Sequence, residues 1–559
     1  MPVANLTSTK SQREHNEPIK QEKEINNTQT EVQNTITPMV PLFTLWDYLK
    51  DELTASDFDT LQELKRERVT NFLGIPWSIE KLMTFGFFIC LDSFLYTVTI
   101  LPLRVIFAFY SLIMNIISFF NNDRYHERKH DEILNLSQKC DLLKGLLIIL
   151  VCLTLQNVEA SQIYHIIRGQ SAIKLYVIFN VLEILDRLCC SFGGDILDSL
   201  FSRSTLGKKK EDSKIHPNWR PINFFILAFL YILVHSIILF YQAITLNVAI
   251  NSYSNALLTL LLSNQFIEIK GSVFKRFEKE NLFQLSCADI VERFQLVIFL
   301  SVITARNLIE LSGSPPSPFS ILPASFIPLF PAMTTVETLM TPVLFVLLSE
   351  LLVDWLKHAF ITKFNHIRTS VYDRYIDMLS RDLVIGNPTR NPNHNEMNNH
   401  VKSQKFVDQS PIVSRRIGFA ALPLTCFTIS VTLQTVTMIY DWVHEMEDNP
   451  NNMPISNVAT QPPIVWILCG TLLYIMLILL KLLVGINLLG FAHRRYASME
   501  MREDEEKAQT KKLEEHVVAE KEEREAKSRI LNNSNDNLQK PEITLDNIDR
   551  YTLFKSRIP

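Results

Sequence analysis

Eight ionisable residues sit inside long apolar blocks of this 559-residue chain: Asp92, Arg104, Glu183, Asp186, Arg187, Glu350, Asp354 and Lys481. A bare charge in hydrocarbon is costly. Such residues therefore line ion pathways, form a partner-binding face, or pair with one another. Spacing favours pairing. Glu183 and Arg187 are four residues apart, as are Asp354 and His358, while Asp354 and Lys357 are three apart, so each pair shares a helical face. Lys481 lies deep in the last apolar block, where it is expected to snorkel or to cap a carboxylate on another segment. Asp195 and Asp198 add two acids to the same candidate polar set.

Asn247, Asn251 and Asn255 recur every fourth residue, which places three amides on one helical stripe. Facing lipid, their unmade hydrogen bonds would be expensive. The stripe is expected to face other helices or a wet cavity. These asparagines, with Glu183, Asp186, Arg187, Asp195, Asp198, Asp354, Lys357 and His358, form the candidate partner-binding surface or polar core.

No catalytic constellation is legible. The chain has no Walker A loop, GxSxG elbow, HExxH or dinucleotide fingerprint. Asn365-His366 followed by Asp373 is too widely spaced for the H-x4-D pair of membrane acyltransferases. The cysteines, Cys90, Cys140, Cys152, Cys189, Cys190, Cys287, Cys426 and Cys469, lie in or beside apolar segments without CxxC spacing. They read as small buried hydrophobes, with no metal or cofactor site implied. A redox role for the vicinal Cys189-Cys190 pair is a weaker alternative.

These residues must be positioned by membrane helices. The chain is 47% apolar and 20% charged, but the apolar residues cluster in blocks of a length suited to a hydrocarbon layer about 30 Å thick. With 35 Phe, 14 Gly and no alternating ten-residue segments, a barrel is excluded. The predicted fold is all-α, a polytopic helical membrane protein. About eight membrane segments are favoured, six to ten stay open, and some are re-entrant. The net charge of −4 argues against a nucleic-acid partner.

Residues 1–40 are polar, lack a signal-peptide core and are expected to be a disordered cytosolic tail. Residues 41–81 read as an amphipathic cytosolic lead-in. The membrane core follows over 82–356. Within it, 82–120 is about twice one span and carries Pro102 at its midpoint, which predicts a helical hairpin. Gly193-Gly194 is expected to break the helix over 172–188. Residues 266–285 suit a helix in the headgroup region. Ser286-x-x-Asp289 resembles a capping box opening the next helix.

Residues 357–416 read as a basic cytosolic loop with ten Lys or Arg and an Asn-rich insert. A C-terminal pair of spans occupies 417–491, and a charged, partly helical cytosolic tail 492–559. The positive-inside rule places both termini in the cytosol. The sequons at Asn5, Asn26, Asn135 and Asn532 would then carry no glycan.

Three stretches together resemble one family: LEILDRLCCSFGGDILDSLF at 182–201, the long run from His235 to Gln295, and SELLVDWLKHAFITKFN at 349–365. They are similar to the transmembrane anterior posterior transformation protein family over roughly 80–490. That resemblance implies a multi-pass endoplasmic-reticulum membrane protein, not an enzyme of known reaction. It implies a role in protein folding and quality control, a membrane-anchored partner with a SUN-like lumenal domain, and folding clients. The alternative reading is a channel or transporter that uses its intramembrane polar residues.

Overall fold

The computed structural model describes residues 58–121, 135–158, 160–206, 220–251, 256–311, 332–365, 367–385, 412–447, 463–505, 507–508 and 511. The chain divides into two compact units, Met1–Arg66 and Glu67–Pro559. The architecture below is that of the second, apart from residues 58–66 at the start of the first helix.

No strand occurs among the described residues. The helices in chain order are α1 (Phe58–Leu95), α2 (Leu101–Asn121), α3 (Leu136–Leu155), α4 (Ala160–Arg168), α5 (Ala172–Leu200), α6 (Arg203–Leu206), α7 (Arg220–Asn251), α8 (Ala256–Val273), α9 (Lys279–Leu311), α10 (Ala332–Phe364), α11 (Ser370–Ile385), α12 (Ile412–Ile417), α13 (Ala421–Glu447) and α14 (Pro463–Ala497). Among the described residues, four stretches are long and apolar enough to cross a bilayer: Val69–Ile117, Pro221–Asn251, Ala421–Ile439 and Ile467–Ala497. The protein is an all-α polytopic membrane protein. Helices α9 and α10 have 33 residues each, ample for crossing, but interrupt their apolar runs with the charges of the polar core.

The hairpin expected over 82–120 does not form. Val69–Ile117 is one continuous helical stretch of 49 residues. A π-helical turn, Tyr96–Ile100, joins α1 to α2 just before Pro102. Proline lacks an N–H and its ring clashes with the carbonyl four residues back. The wider turn opens that position, so the helix continues. A single helical stretch takes the place of the expected hairpin.

The expected break at Gly193-Gly194 is absent as well, since α5 runs through both. A Cβ on Gly193 would lie 1.9 Å from the Tyr231 hydroxyl oxygen, whereas nothing lies within 4 Å of one on Gly194. Gly193 is there for close approach of α5 to α7, not for a turn. Helix α9 also starts earlier than the Ser286-x-x-Asp289 motif predicts. Ser286 is buried inside the helix and its hydroxyl donates back to the Leu282 carbonyl at 2.9 Å. Phe266 lies on α8, while Phe283 already belongs to α9, so 266–285 is not one interfacial helix.

Part of the stretch expected as a cytosolic loop is packed structure. Helix α11 buries Val371, Tyr372, Tyr375, Ile376 and Leu379. Arg495 of α14 reaches Asp377 at 2.6 Å and Asp373 at 3.1 Å, which ties the end of the last span to this helix. The Asn-rich insert at 387–399 lies outside the described residues.

One large apolar cluster joins α1, α4, the start of α5, α7, α9, α10, α11, α12, α13 and Leu488 of α14. At its centre the Phe294 ring meets Phe87 and Phe419 at 5.2 Å each, both edge to face. A second cluster joins α3, the C-terminal end of α5, α7 and α13. The outer faces remain apolar and exposed. On α14, Ile467, Leu472, Leu473, Ile475, Met476 and Leu483 all point outward, as helices in contact with lipid require.

A polar core and an acidic cavity between membrane helices

The main polar core is assembled from five helices, α1, α8, α9, α10 and α11. Helix α10 presents Asp354, Lys357 and His358 at three- and four-residue spacing, and α9 presents Asp289 and Arg293 opposite them. The Lys357 ammonium donates to Asp289 at 2.8 Å and lies 3.2 Å from Asp354 and 3.4 Å from Glu268 of α8. The His358 Nε2 lies 2.8 Å from the other Asp289 oxygen, and its Nδ1 lies 2.9 Å from the Tyr372 hydroxyl of α11. Arg293 donates to Asp354 at 2.8 Å and to Glu80 of α1 at 3.0 Å. The Trp355 indole N–H also donates to Glu80, at 3.1 Å. In α11, burial pushes the Tyr372 and Tyr375 phenols up from their ordinary range.

The expected local pairs are partly present. Asp354 does meet Lys357, and Arg187 donates to Glu183 at 2.9 Å. His358 instead takes its carboxylate from Asp289, on another helix, and not from Asp354. Asp289 and Arg293 were absent from the candidate set. Their sequence signal is an ionisable pair of opposite charge four apart, at the entrance to the apolar run of α9.

Asp186 lies elsewhere. Its carboxylate is 2.7 Å from His235 Nε2 on α7, and Tyr231 meets the opposite ring nitrogen at 3.1 Å. The Cys190 sulfur is 3.9 Å from that same Nε2. Nucleophilic catalysis needs the thiol and the orienting carboxylate on opposite ring nitrogens. Here both compete for one, so this trio fixes α5 against α7 and is not built as a relay.

Asn247 and Asn251 are both buried. The Asn251 amide donates to Asn247 at 2.7 Å and to Asn307 of α9 at 3.3 Å, and Asn307 donates back at 3.2 Å. The stripe thus faces another helix of the same chain. Asn255 lies outside the described residues. Asp198 pairs with Arg415 at 2.8 Å at the α5–α12 contact. The Asp195 carboxylate has no partner among the described residues, although its backbone carbonyl accepts from Ser199 at 2.7 Å. Lys481 meets Asp92 at 2.9 Å, so of the two expected outcomes it caps a carboxylate on another segment. Arg104 donates to Asp141 at 2.9 Å, to Tyr96 at 2.9 Å and to Ser137 at 3.0 Å, which locks α2 to α3.

The cysteines are all free. Cys90, Cys140, Cys152, Cys287 and Cys426 are buried, Cys189 and Cys190 half-buried, and Cys469 exposed. Donor atoms of Glu268, Asp289 and Glu292 converge closely enough for a cation, but the Lys357 ammonium already lies against Glu268 and Asp289.

Beside the polar core, α5, α7, α8, α9 and α10 enclose a cavity of about 610 Å³. Five carboxylates line it (Glu183, Asp186, Glu268, Glu292 and Glu350), against two guanidiniums, Arg187 and Arg416. Gly418, in the left-handed region with φ +83°, ends α12 at its rim.

Residues 134–497 match the model of a eukaryotic membrane protein family. The chain is 37% identical over 554 residues to endoplasmic reticulum membrane protein 65 of Schizosaccharomyces pombe, covering 92% of this chain and 80% of that one. It is 41% identical over 393 residues to the transmembrane anterior posterior transformation protein 1 homolog of Homo sapiens, covering 70% of this chain and 62% of that one. The chain belongs to the transmembrane anterior posterior transformation family. It is a multi-pass membrane protein of the endoplasmic reticulum. A Dictyostelium discoideum member, protein TAPT1 homolog, is 41% identical over 412 residues, and this chain spans 45% of its length. No solved structure matches the chain. The region matched by the family model contains the cavity and every candidate residue from Glu183 to His358, whereas Glu80 and Asp92 precede it.

Proposed function

We propose that this family member is a non-catalytic scaffold of the endoplasmic-reticulum membrane. It would work with a single-span partner carrying a SUN-like lumenal domain in the folding and quality control of newly made proteins. One observation carries the scaffold reading. Four cations placed within the helices are each spent on a different helix of the same chain: Lys357 on Asp289, Arg293 on Glu80, Lys481 on Asp92 and Arg104 on Asp141. Such pairs tie one helix to another and hold a framework. The name of the Schizosaccharomyces pombe relative supports the compartment. The partner and its task come from the family resemblance.

Isolation of the full chain from native membranes in mild detergent, followed by mass spectrometry of what accompanies it, tests the proposal. A stoichiometric single-span protein with a lumenal domain is expected. A chain that purifies alone, or only with enzymes of lipid synthesis, would overturn it.

The cavity favours a second reading, a channel or transporter, because polar cavities between broken or charged helices line substrate sites. Flux of an ion or small solute through the purified chain in liposomes would establish that reading. Impermeable liposomes would end it.

A further inference from the structure

We infer that the cavity between α5, α7, α8, α9 and α10 is a binding site for an organic ammonium group carried on an apolar body. This goes beyond the scaffold reading and stands or falls separately from it.

Charge is the first observation. Glu183 and Glu292 share Arg187, at 2.9 and 3.2 Å, while Glu268 shares Lys357 and Asp186 is held by His235. Arg416 is committed to Asp382. Glu350 is left with the Gln265 carboxamide and no cation among the described residues. The cavity wall therefore carries more carboxylates than its cations satisfy.

The second observation is independent of the acids. Gln242 of α7 and Gln295 of α9 are each only 7% exposed and line the cavity, yet neither carboxamide has a hydrogen-bond partner among the described residues. Both residues are buried but for the side that faces the cavity, so their carboxamides are open to what fills it. Two of them at one cavity call for an occupant with donors or acceptors of its own.

Size and wall chemistry decide which cation. A metal ion needs oxygen ligands converging at about 2.0–2.6 Å. The cavity volume of about 610 Å³ lies instead in the range of small-molecule sites. Phe179, Leu246, Val291 and Phe299 supply apolar wall for a hydrocarbon portion. An ammonium donates to Glu350 and to the carboxamide oxygens, and its apolar body lies against those side chains. The head could be that of an aminophospholipid or of a free long-chain amine.

The full chain is purified in dodecyl maltoside and its thermal midpoint is followed against dodecylammonium, short-chain phosphatidylethanolamine, dodecanol and calcium chloride. Dodecylammonium is expected to raise the midpoint saturably, with dodecanol and calcium inert. A matching rise with phosphatidylethanolamine assigns the head to a lipid, and a rise with the alkylamine alone assigns it to a free amine. Glu350→Gln is expected to weaken the response by about tenfold, the loss of one charge contact in a partly wet site. Gln295→Leu keeps every charge and is expected to weaken it too, which covers the case in which Glu350→Gln fails to fold. An equal response to dodecanol, a response to calcium, or full responses in both variants would overturn the inference. So would a cavity occupied in native membranes by a basic segment of another protein, found by cross-linking, that dodecylammonium does not displace.

Discussion

Lys357 and Asp289, on different helices and 68 residues apart in sequence, meet at 2.8 Å with both side chains only 2% exposed. Asp354 lies within 3.2 Å of the same ammonium. Removing one partner of a buried pair leaves an uncompensated charge, at a cost of about 3–5 kcal/mol. Lys357→Met is therefore expected to lower the thermal midpoint sharply and to broaden the gel-filtration peak. Lys357→Met combined with Asp289→Asn should recover part of that loss, because the neutral pair strands fewer charges. A double variant no better than the single would show that the pair is not the unit that matters.

The contact between Asp92 and Lys481 at 2.9 Å is a second inter-helix pair, each side chain 16% exposed. Lys481→Leu is expected to loosen α14 from α1. Protease sensitivity in the chain after Ala497 reads this out. Exchanging the two residues, Asp92→Lys with Lys481→Asp, should restore resistance, since the pair needs opposite charge and not a particular order.

Gly193 and Gly194 are adjacent, and the structure separates them. Gly193→Ala drives a methyl into the Tyr231 ring and should destabilise by about 1–3 kcal/mol. Gly194→Ala meets nothing within 4 Å and should be neutral or stabilising by about 1 kcal/mol, from helix propensity alone. Thermal midpoints of the two variants, measured side by side, check this. Equal effects would contradict the close approach of α5 and α7.

Asn251 and Asn307 exchange amide hydrogen bonds at 3.3 and 3.2 Å. Asn251→Leu and Asn307→Leu are each expected to destabilise. A double-mutant cycle should return a coupling of about 0.6–1.7 kcal/mol, the range for polar contacts between membrane helices. A coupling of zero would mean that each amide finds another partner when its neighbour is lost.

Local periodicity carried some of these features and not others. Glu183/Arg187 and Asp354/Lys357 could be read directly, because residues three and four apart share a face wherever the helix lies. Lys481 was legible as half of a pair, since its depth excluded every outcome except snorkelling or a carboxylate. Its partner Asp92 was not legible, being 389 residues away. Ser286 misled because its spacing to Asp289 imitates a cap, while the helix had already begun at Lys279. Pro102 misled because the π-helical turn before it depends on how α1 and α2 sit among their neighbours. Gly193 misled because glycine serves both turns and close packing, and only the position of Tyr231 distinguishes the two.

The sequence by itself determined the solvent of this protein and its family. Backbone groups in lipid are satisfied only in helices or closed barrels, and the length of these apolar blocks selects helices. Which charge meets which, why Asn247 and Asn251 face inward, and that Gln242, Gln295 and Glu350 line one cavity were decided by the tertiary structure. A helix period specifies a face, but not the neighbour that covers it. That neighbour is set by packing among helices whose residues lie scores to hundreds of positions apart.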